Sequence, residues 1–150
     1  MYLYVLRHGK AGDGYPDEVR ELTDRGREDV DSVVSGCAEN VEPLEQILCS
    51  PLIRARQTAE IVANVLQFKG ELLENEHITP WGSSQDFLSS LDERCNSVLI
   101  ASHQPYVSIL VEHLTGKSIP MRTSALAAIK IDYPGEGGGE LLWHRDPKID

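Results

Sequence analysis

The chain has 150 residues, 41% of them hydrophobic and 25% charged, which suits one folded domain over residues 1–150 and excludes a disordered or fibrous polymer. Twenty-four acidic residues against fourteen basic ones give a formal charge of −10, which disfavours nucleic-acid binding. That negative field also confines any phosphate site to a local cationic pocket.

Tyr2 to Leu6 is a short apolar run rich in β formers and reads as a buried strand. It meets Arg7-His8 too soon to be a signal segment or a membrane span. Lys10 to Glu21 contains Gly12, Gly14 and Pro16 and reads as a loop. Thr23 is the expected N-cap of a helix from Asp24 to about Glu39, with Val30, Val33, Val34, Cys37 and Val41 on one face. Gln46 to Cys49 is a second strand, and Pro51 is expected to open a helix to about Leu66 with Ala55, Ala59, Val62 and Leu66 inward.

Glu71 to Leu73 is a weaker third strand, followed by a turn through Thr79-Pro80-Trp81-Gly82 and a helix around Phe87, Leu88 and Leu91. Ser97 to Ala101 is a buried strand. Pro105 is expected at the first helical position, ahead of a stripe of Val107, Leu110, Val111 and Leu114 that Gly116 terminates. Ala125 to Ile131 and Glu140 to His144 then form a closing pair of strands around the glycine-rich loop at 134–139. Strands alternating with helices imply a three-layer α/β/α sandwich with a mostly parallel central sheet, mixed at the edge that carries the terminal hairpin. Cys37, Cys49 and Cys95 are odd in number, widely spaced and without CxxC pairing, so they read as reduced thiols of a cytoplasmic protein, not as a disulfide framework or zinc site.

Open α/β sheets bind ligands beyond the carboxyl ends of their strands. The first strand delivers Arg7-His8-Gly9 to that rim, the second Ser50 to Arg56, the third Glu76-His77, and the fourth Ser102-His103. Each piece has an ordinary reading of its own. Arg7-His8 can be a solvated strand end, and His103 a helix cap. Arg54 and Arg56 stand near a helix start, where positive charge opposes the macrodipole; an anion would explain one of them, and a surface ion pair is the rival. Convergence on one rim favours the anion. Two imidazoles and two guanidinium groups without clustered carboxylates suit a tetrahedral dianion better than a metal ion, which guanidinium would repel.

Arg7-His8-Gly9 after the first strand, Ser50-x-Leu52-x-Arg54-Ala55-x-x-Thr58, and Ser102-His103 before a helix resemble the histidine phosphatase superfamily (phosphoglycerate mutase-like). The short chain, the Leu22-Thr23-x-x-Gly26 turn and the small gap between Thr58 and His103 resemble its compact SixA-type phosphohistidine phosphatase branch. The resemblance spans nearly the whole chain. It implies a phosphatase without metal or other cofactor, with His8 as nucleophile and Arg7, Arg54 and His103 as its phosphate clamp. Gly9, Lys10, Glu76 and His77 join the candidate substrate-binding set, Lys10 as a clamp extension or a solvated charge. The general acid stays open among Glu76, His77, Asp13 and none, and Arg56 is expected to pair on the helix surface.

A phosphoramidate loses imidazole, a better leaving group than an alkoxide, and so needs less acid assistance. The expected substrate is therefore phosphohistidine in a partner protein such as a histidine phosphotransfer domain. The alternatives are a small phosphorylated metabolite hydrolysed by a phosphomonoesterase of the same superfamily, and a non-catalytic anion-binding regulatory module. Neither nucleic acid nor a membrane is an expected partner.

Overall fold

The computed structural model describes residues 1–148. Its strands are β1 (Tyr2–Arg7), β2 (Gln46–Cys49), β3 (Leu72–Glu74), β4 (Ser97–Ser102), β5 (Leu126–Ile131) and β6 (Gly139–Arg145). Its helices are α1 (Asp24–Cys37), α2 (Ile53–Val65), α3 (Ser84–Ser90) and α4 (Tyr106–Thr115). One sheet takes all six strands in the order β3-β2-β4-β1-β5-β6. β1, β4, β2 and β3 run parallel, while β5 is antiparallel to β1 and β6 to β5. The sheet is thus mostly parallel and mixed at the hairpin edge.

Strand pleating sends successive side chains to opposite faces. Leu3 and Val5 of β1 join Val98, Ile100, Ala127 and Ile129 under α3 and α4. Tyr4 and Leu6 join Leu99, Ala101, Leu126 and Ala128 under α1 and α2. Helices on both faces make three layers around two apolar cores. All six residues of β4 are buried because the strand lies between β2 and β1 with helices above and below. Among the described residues, no helix is long and apolar enough to cross a membrane.

The expected N-cap of α1 is present: Thr23 Oγ1 accepts the Gly26 N–H at 2.9 Å, a contact worth about 1 kcal/mol to the helix. The helix ends at Cys37 and tightens into a 3-10 turn over Ala38–Asn40, slightly short of the expected span. Gly116 takes the left-handed C-cap of α4 at φ 73°.

Two helix starts differ from expectation. Pro51 does not open α2; Leu52 is its N-cap, with extended backbone, and the helix begins at Ile53. Ser50 Oγ accepts the Leu52 N–H at 3.3 Å, so these residues form a turn that leaves the Ser50 hydroxyl beside β4. Pro105 occupies the N-cap of α4, and Tyr106 is its first helical residue. Both shifts are small, and both occur where the chain passes from a strand end to a helix over the candidate site.

Candidate active site

β1 and β4 are neighbours, so their last residues deliver His8 and His103 side by side. The ladder continues past β1: His8 N–H donates to Ser102 O at 2.8 Å, and Ser124 N–H to His8 O at 3.1 Å. The two imidazole rings lie 4.9 Å apart, tilted by 59°. His8 is 7% exposed and His103 1%. His8 Nδ1 lies 2.6 Å from Gly9 O. A carbonyl only accepts, so Nδ1 carries the ring proton and Nε2 presents a lone pair. That lone pair accepts the Arg54 Nε–H at 3.3 Å.

Arg54 reaches His8 because it sits in the first turn of α2, beyond the end of β2. Thr58, one turn later, ties that turn to the β1 loop. Its Oγ1 donates to Arg54 O at 2.8 Å and accepts the Gly9 N–H at 3.2 Å. The spacing Arg54-Ala55-x-x-Thr58 is therefore a helical-turn requirement. The guanidinium also donates from Nη1 to Asp17 O at 2.9 Å and from Nη2 to Asp17 Oδ2 at 3.0 Å.

The β1 loop approaches α1 closely enough to require glycine on both sides. A Cβ at Gly9 would stand 2.7 Å from Gly26 O, and one at Gly26 would overlap Lys10 O. Lys10 O in turn accepts Thr23 N–H at 2.9 Å. The Leu22-Thr23-x-x-Gly26 turn is thus the brace behind His8.

His103 Nε2 lies 2.8 Å from Ser50 Oγ, which already accepts from Leu52 N. A hydroxyl proton needs an acceptor, and His103 Nε2 supplies one. Donation in that sense puts the His103 proton on Nδ1, an atom buried and without a partner among the described residues. Arg7 donates from Nη1 to Met121 O at 3.0 Å, while its Nε is likewise buried and unpartnered. Buried donors without partners are uncommon, and here two belong to side chains beside the same imidazole.

Burial pushes the His8 pKa down to about 4; the Arg54, Arg7 and Arg20 charges act in the same direction, against the raising effect of the Gly9 carbonyl. His103 falls to about 3, again chiefly through burial and then through His8 and Arg54. Burial also lowers Arg7, which stays cationic at any physiological pH. At neutral pH the site therefore combines two uncharged imidazoles with two guanidinium cations. It can offer a lone pair to an electrophile and stabilise negative charge around it.

The other expected residues take different positions. Gly9 lies in the site through its backbone. Lys10 is exposed, and the fold uses its carbonyl. β3 is at the sheet edge, two strands from β4 and three from β1 in the order β3-β2-β4-β1. Glu76 is exposed and His77 half-buried, and with Pro51, Glu74, Asn75 and Ser90 they line a groove, while Ser102 Oγ donates to Ile78 O at 2.6 Å and ties the segment after β3 to the end of β4. Asp13 is exposed in the β1 loop. Arg56 pairs on the helix surface with Glu60 at 3.7 Å and Glu74 at 3.6 Å, as its spacing suggests. The carboxylate that does meet the cations is Asp17, for which sequence reasoning had no role. Its signal was slight: an acidic residue three before Arg20, which it also binds, at 2.8 Å.

Residues 3–77 match the profile of the histidine phosphatase superfamily (branch 1). The chain is 33% identical to phosphohistidine phosphatase SixA of Escherichia coli (strain K12), over 98% of this chain and 94% of that protein. It is 31% identical to a SixA homolog of Haemophilus influenzae, over 99% and 98% respectively. Among solved structures, the protein histidine phosphatase SixA complexed with tungstate superposes with a TM-score of 0.87 at 32% identity, covering 98% of this chain and 97% of that one.

Proposed function

The chain belongs to the histidine phosphatase superfamily, and from that membership we propose that it is a phosphohistidine phosphatase whose nucleophile is His8. The observation that carries this reading is the contact of His8 Nε2 with Arg54, beside the His103 ring and within electrostatic reach of Arg7. A neutral ring with its proton fixed on Nδ1 has one lone pair to give. The guanidinium groups and the His103 Nδ1–H supply donors for the equatorial oxygens, where phosphoryl transfer concentrates its charge.

In the first step the His8 Nε2 lone pair forms a bond to phosphorus while the bond from phosphorus to the substrate imidazole breaks. The electron pair of that bond leaves on the imidazole nitrogen, and the ring departs neutral because its other nitrogen carries a proton. In the second, a water oxygen bonds to phosphorus, the P–Nε2 bond breaks and its electron pair returns to His8. Both water hydrogens leave on the product, dihydrogen phosphate, which then equilibrates with solvent. Each step is mostly positioning and electrostatics, which rigid strand ends supply.

The substrate in this reading is phosphohistidine on a partner protein. Imidazole departs without a dedicated acid, and neither Glu76 nor His77 is needed as one in this reading. We assign the protein to the cytoplasm, in keeping with the free thiols of Cys37, Cys49 and Cys95. Brief incubation with labelled phosphohistidine protein, followed by denaturing capture, tests the mechanism. Acid-labile, base-stable label on His8, increased in a His103→Asn variant that slows hydrolysis, is the expected result. Undiminished turnover by His8→Ala would remove the nucleophile.

A further inference from the structure

We propose that Asp17 is an internal anion that occupies the phosphoryl-binding face of Arg54 and must be exchanged for the substrate, which makes it a specificity-determining residue of the site. The inference rests on the phosphatase reading and extends it to a residue outside the motif blocks.

Three contacts from the Arg54 guanidinium define the starting state. Nε is committed to His8, Nη1 to the Asp17 carbonyl and Nη2 to the Asp17 carboxylate. A carboxylate and a phosphoryl group compete for the same planar fork of donors. The Arg54 side chain is 5% exposed, so no second face of it is open to solvent, whereas Asp17 is 52% exposed. The exchange is therefore lopsided. Arg54 cannot leave its place without stranding a buried charge, but the half-exposed carboxylate can return to water at little cost.

The loop around Asp17 is built to permit this. Its 3-10 turn, Asp17–Val19, buries no residue, and Tyr15 beside it is 95% exposed. Polar contacts hold it instead: Arg20 Nε binds Asp17 Oδ1 at 2.8 Å and Arg20 Nη1 binds Gly12 O at 3.2 Å. Its ends are fixed separately, through the Ala11–Leu22 bridge and the Leu22 N–H on Gln57 Oε1 at 2.8 Å. Released from Arg54, the carboxylate keeps Arg20 as a partner. A ligand enters only if it returns more to the cations than Asp17 gave. A tetrahedral dianion does so, with two charges and several acceptor oxygens; a carboxylate monoanion, chemically equal to Asp17 itself, does not.

The test is calorimetric titration of the full-length protein with tungstate, with acetate as the monoanion. Asp17→Asn keeps a neutral acceptor for Nη2 and removes the competing charge; Asp17→Ser serves as a second variant, and a thermal melt checks that each is folded. We expect both variants to bind tungstate about fivefold more tightly than wild type, the worth of one half-exposed ion pair, with Asp17→Glu close to wild type. A merely structural bridge predicts the opposite sign, since Arg54 would lose its alignment. Wild-type binding that Arg54→Ala abolishes but Asp17→Asn leaves equal or weaker overturns this inference alone. A folded wild type that binds no tungstate overturns it together with the phosphatase reading.

Discussion

Arg54 Nε donates to His8 Nε2 at 3.3 Å, so in the proposed mechanism the cation that faces the incoming phosphoryl group also holds the ring that attacks it. The contact exists only while Nε2 is unprotonated, because an imidazolium has no lone pair there to accept. Binding geometry and protonation state are thus one property of the pair. Proton-free His8 is aligned, and protonated His8 is repelled by the two arginines that clamp the substrate.

Low pH should therefore erode the stability of the fold before it switches off a folded site. His8 and His103 have native pKa values near 4 and 3, below the ordinary imidazole value near 6.5. Between those values the unfolded chain binds more protons than the native one, so stability rises with pH through the window and is lost as pH falls. His8 alone contributes on the order of 3 kcal/mol of loss between neutrality and pH 4, at about 1.4 kcal/mol for each unit of depression. Urea denaturation at a series of pH values should show it, and NMR titration should find both rings uncharged at pH 6. Either ring titrating at the ordinary imidazole value in the folded protein would contradict this electrostatic picture.

Arg54→Lys should separate charge from geometry. The substituted ammonium keeps one positive charge but cannot donate at once to His8 and to two phosphoryl oxygens, as the guanidinium fork can. We expect kcat/KM to fall by about 10²–10³, the cost of losing an electrostatic donor to developing charge, with most of the loss in kcat. Steady-state kinetics on phosphohistidine protein check it. A variant within a few-fold of wild type would mean that charge alone suffices.

The parts of this site that were legible in the sequence are local ones. Arg7-His8, Ser102-His103 and Arg54-x-x-x-Thr58 each lie at a strand end or within one helical turn, where chain direction alone decides what reaches the rim. Thr23 and Gly116 announced helix ends through their own backbone chemistry. Asp17 was not legible, because its contact with Arg54 joins residues 37 apart and depends on how an irregular loop folds back. Glu76 and His77 are read from the sequence onto the rim only through the direction of β3. Hydrophobic periodicity identifies β3 without saying that it lies at the sheet edge beyond β2. Strand order is a property of packing between distant segments, and no window of sequence contains it.

Gly26→Ala should damage the site without touching it. The new methyl would overlap Lys10 O, a backbone atom that also accepts the Thr23 N–H, and neither α1 nor the loop can yield without disturbing the helix cap. Overpacking of this kind costs about 1–3 kcal/mol, and the backbone partner favours the upper end. A lower urea midpoint should accompany a fall in kcat, since Gly9 and His8 shift with Lys10. Normal stability with normal turnover would show that the loop has slack absent from the folded contacts.

Glu76 and His77 provide the clearest separation between phosphohistidine and phosphate esters as substrates. An alkoxide leaving group requires a proton donor at the departing oxygen, whereas imidazole leaves readily without one. Both residues line the groove with Pro51 and Ser90. Glu76→Gln and His77→Gln should therefore change kcat on phosphohistidine protein by no more than about threefold, the range of ordinary surface substitutions. Slow hydrolysis of an aryl phosphate, whose phenolate leaves without help, should be equally indifferent. A large loss confined to alkyl phosphate esters would instead identify one of the two as a general acid and move the physiological substrate toward small phosphomonoesters.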